Sequence, residues 1–471
     1  MCGIIGIKGK DRVTEELFVG LLALQHRGQN SAGMSTYDGY RFYSKKGNGL
    51  VSHVLPEDSL NRLKGNLGIG HVRYPTIGGG DEEDAQPFLI HSPVGIAMVH
   101  NGNIINYFEL RRELGDKRHL NSFCDVEVML NIFADELEND PFEAARTIMD
   151  RANGGYSVIA IVAGIGLFAF RDPHAIRPFI FGRREENYIF ASESVVLQIL
   201  GYNIIKDLAP GEGILVDENG KVTQKMIKRG NPRHCIFEYI YFARPESCLD
   251  NMSVYKARLS LGKELAKEAK RKGVKPNVVV PIPDTSRPTA IALAEELDVP
   301  YREGLIKNRY ILRTFIMSTD EERMRYVKYK LNPVVSELKG KKVLLVDDSI
   351  VRGTTSRRIV RLVKNAGAKE VYFAISAPPI RDPCYYGIDM QTRSELIARE
   401  KSEHEIKEIL GVDALIYQTL DGLTRAIGKD KFCRACFDGD YPTRIKGKEV
   451  LEIEEKRERL RKSKVGASLF L

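Results

Sequence analysis

The sequence predicts an α+β domain built on antiparallel sheets over residues 2–230, then an α/β domain with a parallel sheet over residues 231–445. Three observations lead to this fold class. The first half carries many short apolar runs separated by turns, which are typical of antiparallel strands. From about residue 253, strand-like and helix-like stretches alternate, which indicates βαβ units. The 471 residues are enough for two cores, and residues 446–471 form a charged tail.

The predicted elements follow in order along the chain. In the first half we predict strands at residues 3–7, 67–70, 94–99 and 156–162, and one amphipathic helix at about 15–25. The composition changes near residues 228–232, which places the domain boundary there. Ser253 is a plausible N-cap for a helix that stops at Gly273. Further strands are predicted at 277–282, 342–346 and 371–376, and helices at 288–297 and 356–366.

The composition excludes several classes of protein. Lys and Arg number 71 against 63 Asp and Glu, and the net charge of +8 is spread along the chain. This balance suits small phosphate-bearing substrates but gives no footprint for nucleic acid. No apolar run reaches the roughly 18 residues of a membrane span, and a signal-peptide layout is absent. We expect a soluble cytoplasmic protein, in which seven cysteines are too sparse for a disulfide scaffold.

Cys2 is a candidate nucleophile, because it becomes the first residue if Met1 is removed. An N-terminal thiol can use its own α-amino group, with a pKa near 7.7–8.0, as the general base. After a buried strand, Asn101 and Gly102 could present an amide and an N–H to a developing oxyanion. Singly, such segments are more often turns. Together with Cys2, three polar segments indicate a site: residues 25–34, 70–76 and 100–103.

These motifs resemble those of the class II glutamine amidotransferases: Cys2-Gly3-Ile4-Ile5-Gly6, His26-Arg27-Gly28-Gln29, Gly70-His71-Val72-Arg73-Tyr74 and His100-Asn101-Gly102-Asn103. The resemblance implies the N-terminal-nucleophile (Ntn) fold, a sandwich of two antiparallel sheets between helices. It also implies that Cys2 attacks the side-chain amide of glutamine and that Asn101 and Gly102 form the oxyanion hole. Arg73 would bind the glutamine carboxylate and Asp125 its α-amino group, which suits a zwitterionic substrate.

The sequence departs from the pattern of that family at two positions. Asn30 stands where the family usually has an acidic residue, and Val126 stands where it usually has a small polar one. Neither is a catalytic position, so the resemblance is unaffected.

The second half carries a candidate phosphate-binding loop. The predicted strand 342–346 ends in Asp347 and Asp348, and a Gly-Thr-Thr-Ser run at residues 353–356 opens a helix at Ser356. Adjacent carboxylates are costly unless they meet hydroxyls or a cation, and a helix N-terminus supplies N–H donors for a phosphate. An ordinary turn with an Asp cap would explain a lone Asp-Asp pair, but not the whole ten-residue pattern.

This pattern resembles the phosphoribosyl pyrophosphate (PRPP) signature of type I phosphoribosyltransferases. The resemblance implies that Asp347 and Asp348 meet the ribose hydroxyls and Mg²⁺. Gly353, Thr354, Thr355 and Ser356 would cradle the 5′-phosphate. Thr285, in the pyrophosphate loop, would lie near the metal. Residues 307–316 would form a flexible loop that closes over PRPP, with Leu312 where the family usually has glycine.

In this order the two halves resemble the PRPP amidotransferase family. The resemblance implies that ammonia from glutamine is channelled to C1 of PRPP, giving 5-phosphoribosylamine, glutamate and pyrophosphate, the first committed step of purine synthesis. It also implies a homotetramer that purine nucleotides inhibit. A different amidotransferase would have no reason to carry the PRPP loop. The remaining alternative is a catalytically inactive PRPP-sensing regulatory protein.

Four further cysteines are candidate metal ligands. Cys433 and Cys436 have ligand spacing, and Cys235 and Cys384 stand alone. From spacing alone, a structural zinc site outranks an iron–sulfur cluster, and unrelated buried thiols rank third. The sequences around Cys235 and Cys384 resemble the family branch that carries a [4Fe–4S] cluster, which implies that all four thiolates hold one. Cys124 and Cys248 fit no ligand pattern.

Overall fold

The structure is a computed structural model, which describes residues 1–74, 82–115, 118–138, 140–308, 331–390, 392–428, 431–445, 447, 451–452 and 454–455. The predicted fold class is confirmed, since an antiparallel sandwich precedes a parallel-sheet domain. The boundaries at residues 230 and 445 stay predictions. Among the described residues, no helix combines the length and the apolar character that crossing a membrane requires.

The N-terminal domain contains two antiparallel sheets. The first has seven strands, in the spatial order Asn203–Asp207, Ile180–Arg184, Asn187–Ala191, Gly3–Lys8, Leu67–Arg73, Ser31–Tyr37 and Phe42–Asn48. The second has six, in the order Val222–Met226, Glu212–Asp217, Gly166–Arg171, Gly154–Val162, Ile96–Ile104 and Phe88–Ile90. The strand that follows Cys2 therefore lies at the centre of the first sheet, where all its residues are buried.

The two sheets pack face to face over an apolar layer. Ile4 and Ile69 from the first sheet meet Val99 and Ile159 from the second. Gly6 permits this approach, because a Cβ atom there would lie 2.7 Å from the Ile159 side chain. Helices and one 3₁₀ turn complete the domain: Thr14–Ala23, Val51–Val54, Glu57–Arg62, Glu82–Asp84 (3₁₀), Tyr107–Gly115, Asp125–Glu136, Pro141–Arg151 and Ser194–Leu200. The layers form the sandwich that the sequence predicts.

The C-terminal domain is built on a parallel sheet of four strands, in the order Val278–Pro281, Lys342–Asp347, Glu370–Ile375 and Ala414–Tyr417. Its helices are Val254–Arg271, Arg287–Leu297, Val335–Leu338, Thr354–Asn365, Ile397–Glu400, Glu403–Leu410, Leu420–Ile427 and Ala435–Asp438, with a π-helical turn at Glu238–Phe242 and a 3₁₀ turn at Arg393–Glu395. The predicted N-cap is present, since Ser253 Oγ accepts a hydrogen bond from Lys256 N. Pro281 lies opposite Val346, so both predicted substrate loops leave the same edge of the sheet.

Short strand pairs complete the domain: His234–Cys235 with Phe432–Cys433, Cys248–Leu249 with Met252–Ser253, and Leu305–Lys307 with Leu331–Pro333.

The domains share one continuous apolar core and a buried ion network. The core includes Leu24 from the first domain and Ile236 from the second. Arg27 is fully buried and donates to both carboxylate oxygens of Glu238, at 2.7 and 3.0 Å, and to Glu193. Its Nε also donates to the backbone carbonyl of Cys2, at 2.9 Å. One guanidinium thus joins the candidate nucleophile to the second domain.

We expect Arg27→Met to lower the free energy of unfolding by about 3–5 kcal/mol, because it leaves buried carboxylates without their cation. Denaturant titration measures this loss. Arg146→Met is the matched control, since it breaks an exposed pair with Glu143 and is expected to cost less than about 1 kcal/mol. Equal effects of the two substitutions would contradict the prediction.

Candidate functional site

Cys2 directly precedes the central strand of the first sheet and is held by contacts with both sheets. Its side chain is buried, and its backbone N–H donates to Asn101 Oδ1 at 3.3 Å. Its Sγ lies 3.6 Å from the carbonyl oxygen of Tyr74, at the end of the neighbouring strand. The structure therefore brings the predicted nucleophile and the predicted oxyanion-hole amide together.

Gly102 follows Asn101 in a conformation that requires glycine. Its φ is +157°, and a Cβ atom there would lie 2.1 Å from the carbonyl oxygen of Gly155. Any larger residue would push the paired strands apart. The side-chain amide of Asn101 lies 3.5 Å from Ser192 Oγ, the hydroxyl that also accepts a hydrogen bond from Ile4 N. Asn101 and the Gly102 backbone thus occupy fixed positions beside the thiol.

Arg73 and Asp125 place a buried cation and a buried anion near Cys2. Each is only 2% exposed. Asp125 Oδ2 accepts a hydrogen bond from Ile104 N at 3.0 Å, and its Oδ1 lies 3.3 Å from His100 Nε2. Burial opposes ionisation, but His100 and the Ile104 N–H outweigh it, so the pKa of Asp125 is lowered.

Burial also opposes the charge of Arg73, yet its pKa is raised by the surrounding acidic groups, which include Asp84, Cys2 and Asp125. Arg73 directly precedes Tyr74, whose carbonyl oxygen lies 3.6 Å from Cys2 Sγ, so the guanidinium is carried by the strand end that contacts the thiol. The arrangement suits a zwitterionic substrate with a carboxylate that binds Arg73, an amino group that binds Asp125 and a further polar group that reaches Cys2.

Several residues at this site are not among those that the sequence predicts. His100 orients Asp125, and Asp84 pairs with Arg73 at 3.3 Å. Glu193 Oε2 accepts hydrogen bonds from Arg244 N and Ser247 Oγ of the second domain. His100 stands within a motif and could have been proposed. Asp84 follows Arg73 by 11 residues, and Glu193 precedes Arg244 and Ser247 by 51 and 54, so no short motif indicates either contact.

The second candidate site begins at the carboxyl end of strand Lys342–Asp347. Asp347 Oδ1 accepts a hydrogen bond from Asp348 N at 2.9 Å, and Ser349 Oγ donates to Asp348 Oδ1 at 2.7 Å. Burial and the neighbouring Asp348 carboxylate raise the pKa of Asp347 well above its ordinary value. Burial raises the pKa of Asp348 to about 6. Two adjacent carboxylates of this kind are more stable with a bound cation or with hydroxyl donors than as two uncompensated negative charges.

Gly353 shapes the phosphate loop. Its φ is +76°, and the helix Thr354–Asn365 begins directly after it, two residues earlier than predicted. Thr354 and Thr355 are exposed in the first turn, whereas Ser356 is buried. The loop therefore presents two hydroxyls and the N–H groups of a helix N-terminus to the edge of the sheet.

Thr285 lies in the loop after the adjacent strand, Val278–Pro281, and is half-buried. The preceding residue, Asp284, accepts from Arg287 at 2.9 Å and from Lys307 at 2.6 Å. The predicted flexible loop lies outside the described residues from 309 onward, including Leu312. The fold therefore brings Thr285 to the same sheet edge as Asp347 and Asp348.

We expect Asp348→Asn to stabilise the metal-free protein more at pH 7 than at pH 4. The folded-state pKa of Asp348, about 6, exceeds the unfolded value of about 3.9, so the wild-type carboxyl favours folding at low pH and loses that contribution as the pH rises to 6. Denaturant titration of both proteins at several pH values measures the difference. Asp421→Asn, on an exposed helix position, is the control. A difference that shrinks as the pH rises would contradict the assignment.

The four candidate ligand cysteines line one cavity. Cys235, Cys384, Cys433 and Cys436 surround it together with Arg177 and the rings of Phe237, Tyr386 and Tyr441. Cys235 and Cys433 lie opposite each other in paired parallel strands, and no thiol in the chain is in a disulfide. Within the described ranges, no three His, Cys, Asp or Glu side chains are arranged to hold a single metal ion. Cys124 and Cys248 do not line this cavity.

The segment after Cys384 connects this cavity to the Cys2 site. Asn103 Nδ2 donates to the carbonyl of Tyr385 at 2.8 Å, and Tyr74 Oη donates to Asp389 at 3.0 Å. A Cβ atom on Gly387 would lie 3.1 Å from the carbonyl oxygen of Gly102. The second domain therefore packs directly against the residues that flank Cys2.

Both domains match known families. A glutamine amidotransferase domain family matches residues 71–198, and a phosphoribosyl transferase domain family matches residues 250–398. Similar proteins include the amidophosphoribosyltransferase of Pseudomonas aeruginosa, which is 48% identical over 94% of this chain and 93% of its own length. That of Methanocaldococcus jannaschii is 46% identical over 96% of this chain and 100% of its own.

Solved structures agree with these relatives. A glutamine PRPP amidotransferase from B. subtilis, complexed with ADP and GMP, is 37% identical and superposes with a TM-score of 0.88. The match covers 95% of this chain and 98% of that one. The structure of an allosteric regulatory enzyme of purine biosynthesis gives a TM-score of 0.89 over 96% of this chain and 98% of its own. These identities and coverages show that the chain belongs to the amidophosphoribosyltransferase family.

Proposed function

We propose that this enzyme transfers the amide nitrogen of glutamine to C1 of PRPP, releasing glutamate and pyrophosphate and giving 5-phosphoribosylamine, the first committed step of purine synthesis. One observation carries the proposal: a buried thiol near a buried cation and a buried anion lies in the same chain as a phosphate loop, and the two domains pack directly together. A catalytically inactive PRPP-sensing regulatory protein would need only the second of these sites.

In the first half-reaction, the Cys2 thiolate attacks the side-chain carbonyl carbon of glutamine. With Met1 removed, the α-amino group of Cys2 takes the thiol proton and returns it to the leaving nitrogen. Asn101 and the Gly102 N–H stabilise the oxyanion, and ammonia leaves as the thioester forms. Water then hydrolyses the thioester to glutamate. Arg73 and Asp125 hold the two charged ends of the substrate throughout.

In the second half-reaction, ammonia attacks C1 of PRPP and the C1–O bond to pyrophosphate breaks. Gly353, Thr354, Thr355 and Ser356 hold the 5′-phosphate, and Asp347 and Asp348 orient the ribose hydroxyls. Mg²⁺ fits this site, because two adjacent carboxylates at the end of one strand and a threonine in the loop after the neighbouring strand are oxygen donors at one edge of the sheet, and Asp347, Asp348 and Thr285 would hold it. When bound, Mg²⁺ neutralises the charge of the pyrophosphate leaving group.

The experiment that tests this function is a measurement of pyrophosphate release from PRPP and Mg²⁺, with glutamine and then with ammonium salt. Release with both donors would support the two-site enzyme. Glutamine hydrolysis without pyrophosphate release would indicate a different amidotransferase. PRPP binding without either activity would favour the regulatory alternative.

We further propose that Cys235, Cys384, Cys433 and Cys436 hold a [4Fe–4S] cluster. The residues fit such a cluster, because all four cysteines line one cavity, and the sequences around Cys235 and Cys384 resemble those of the cluster-carrying branch. Neither half-reaction moves electrons. The cluster would therefore fasten the Cys384 segment, which contacts the Cys2 site, or sense oxygen.

Anaerobically purified protein is expected to be brown and to contain iron and sulfide in equal amounts, and Cys433→Ser is expected to lose most of both. Metal analysis and the visible spectrum measure this. Cys248→Ser is the control, since that thiol lies away from the cavity and is expected to keep the iron. A colourless protein with one zinc per chain would contradict the cluster while leaving the transfer activity intact.

We make three further proposals. Purine nucleotides would inhibit the enzyme, since the B. subtilis relative is complexed with ADP and GMP. The enzyme would be a cytoplasmic homotetramer. Its glutaminase domain would span residues 2–230 and its phosphoribosyltransferase domain residues 231–445, with the tail at 446–471. Titration with nucleotides and light scattering test the first two.

A further inference from the structure

Asp84 lies between the two residues that would recognise the ends of glutamine. It is 2% exposed, at the end of the 3₁₀ turn Glu82–Asp84. Its Oδ2 lies 3.3 Å from Arg73 Nη2. Its Oδ1 accepts a hydrogen bond from Phe123 N at 2.9 Å, two residues before Asp125. One carboxylate thus connects the guanidinium to the segment that carries the anion.

The charged groups around Asp84 show which cation pairs with its carboxylate. Lys46 also lies near Asp84, but its Nζ donates to the backbone carbonyl of Ala85 at 2.6 Å. The carboxylate of Glu127 is used by the backbone N–H groups of residues 121 and 122. Arg73 is therefore the cation that Asp84 pairs with. The hydrogen bond to Phe123 N needs only an acceptor, whereas Arg73 needs a negative charge.

We propose that Asp84 is a positioning residue for glutamine. It fixes the orientation of the Arg73 guanidinium and connects Arg73 to the segment that carries Asp125. The distance between the group that binds the glutamine carboxylate and the group that binds its amino group is therefore kept constant. A guanidinium carries five N–H donors in a rigid fork, so one carboxylate can fix its orientation while other donors of the same group bind a second anion. The inference rests on the proposed function, and it adds a residue that sets the affinity for glutamine.

The test compares Asp84→Asn with the neighbouring Glu83→Gln, an exposed control. The asparagine keeps an acceptor for Phe123 N but removes the charge beside Arg73. We expect Asp84→Asn to raise the KM for glutamine about tenfold or more, the scale of one charge-assisted hydrogen bond, with kcat nearly unchanged. Pyrophosphate release with ammonium salt should stay at the wild-type rate, which also shows that the variant is folded. Glu83→Gln should change neither.

Two further measurements separate positioning from a general structural role. A second substrate is glutamine α-amide, called glutamine amide here, in which an amide replaces the α-carboxylate. Asp84→Asn should change the KM for this substrate little, because it has no carboxylate for Arg73 to bind. In an Arg73→Met background, Asp84→Asn should add no further loss. Asp84→Ala, which also removes the acceptor for Phe123 N, should raise the glutamine KM further.

Three results would overturn the proposal. An unchanged KM for glutamine would show that Asp84 does not act through Arg73, and a lowered KM would show that it competes with the substrate carboxylate. Equal losses with glutamine, glutamine amide and ammonium would show a purely structural role. By contrast, a wild-type protein that cannot use glutamine at all would reject the proposed function rather than the role of Asp84.

Discussion

Replacing Cys2 with alanine is expected to abolish synthesis of 5-phosphoribosylamine from glutamine and to leave synthesis from ammonium salts intact. Cys2 is the nucleophile of the first half-reaction only, and ammonia supplied from solution bypasses it. The loss with glutamine should reach about a thousandfold or more, the scale seen when a catalytic nucleophile is removed. Pyrophosphate release with each nitrogen donor measures both activities on one preparation.

The matched control is Cys248→Ala, because Cys248 is a half-buried thiol in a short strand pair of the second domain and has no assigned role in binding either substrate. It should leave both activities unchanged. Loss of both activities in the Cys2→Ala protein, with the fold intact by circular dichroism, would show that Cys2 is structural. Retained glutamine-dependent synthesis would reject the nucleophile.

Asp347→Asn is expected to reduce pyrophosphate release at least about a hundredfold with either nitrogen donor, because a carboxylate that supports a metal and the ribose contributes several kcal/mol of transition-state stabilisation. Basal hydrolysis of glutamine should continue, since Cys2, Arg73 and Asp125 lie in the other domain. Pyrophosphate and glutamate are measured on the same samples.

Asp421→Asn serves again as the control, because its exposed carboxylate lies on a different helix of the same domain. If glutamine hydrolysis alone collapsed in Asp347→Asn while pyrophosphate release with ammonium persisted, the two sites would be wrongly assigned. If Asp421→Asn lost activity to the same extent, the effect would reflect the stability of the domain rather than PRPP binding.

The parts of the fold that could be predicted are those with a local signal. The run at residues 342–346 predicts a buried strand, and Ser253 predicts an N-cap, because each depends on neighbours within a few residues. Both are present. The start of the next helix was misplaced by two residues, because Gly353 adopts a left-handed conformation that lets the helix begin at Thr354.

The polar network around the nucleophile could not be predicted, because its partners are far apart in sequence. Arg27 meets Glu193 and Glu238, which follow it by 166 and 211 residues. Asp84 accepts a hydrogen bond from Phe123 N, 39 residues further along the chain. Motifs predict roles for Cys2, Asn101 and Asp125, but only three-dimensional proximity identifies the groups that contact them.

The buried joint at Arg27 also bears on how such an enzyme can evolve. If two fused domains met only through a hydrated, solvent-exposed contact, one domain could be exchanged for another with little loss of stability. Here a single guanidinium satisfies carboxylates from both halves and also holds the backbone of Cys2. A substitution on one side therefore requires a compensating substitution on the other. A module that replaced the ammonia-producing half or the ammonia-consuming half would therefore have to supply the matching carboxylates or the guanidinium of this joint.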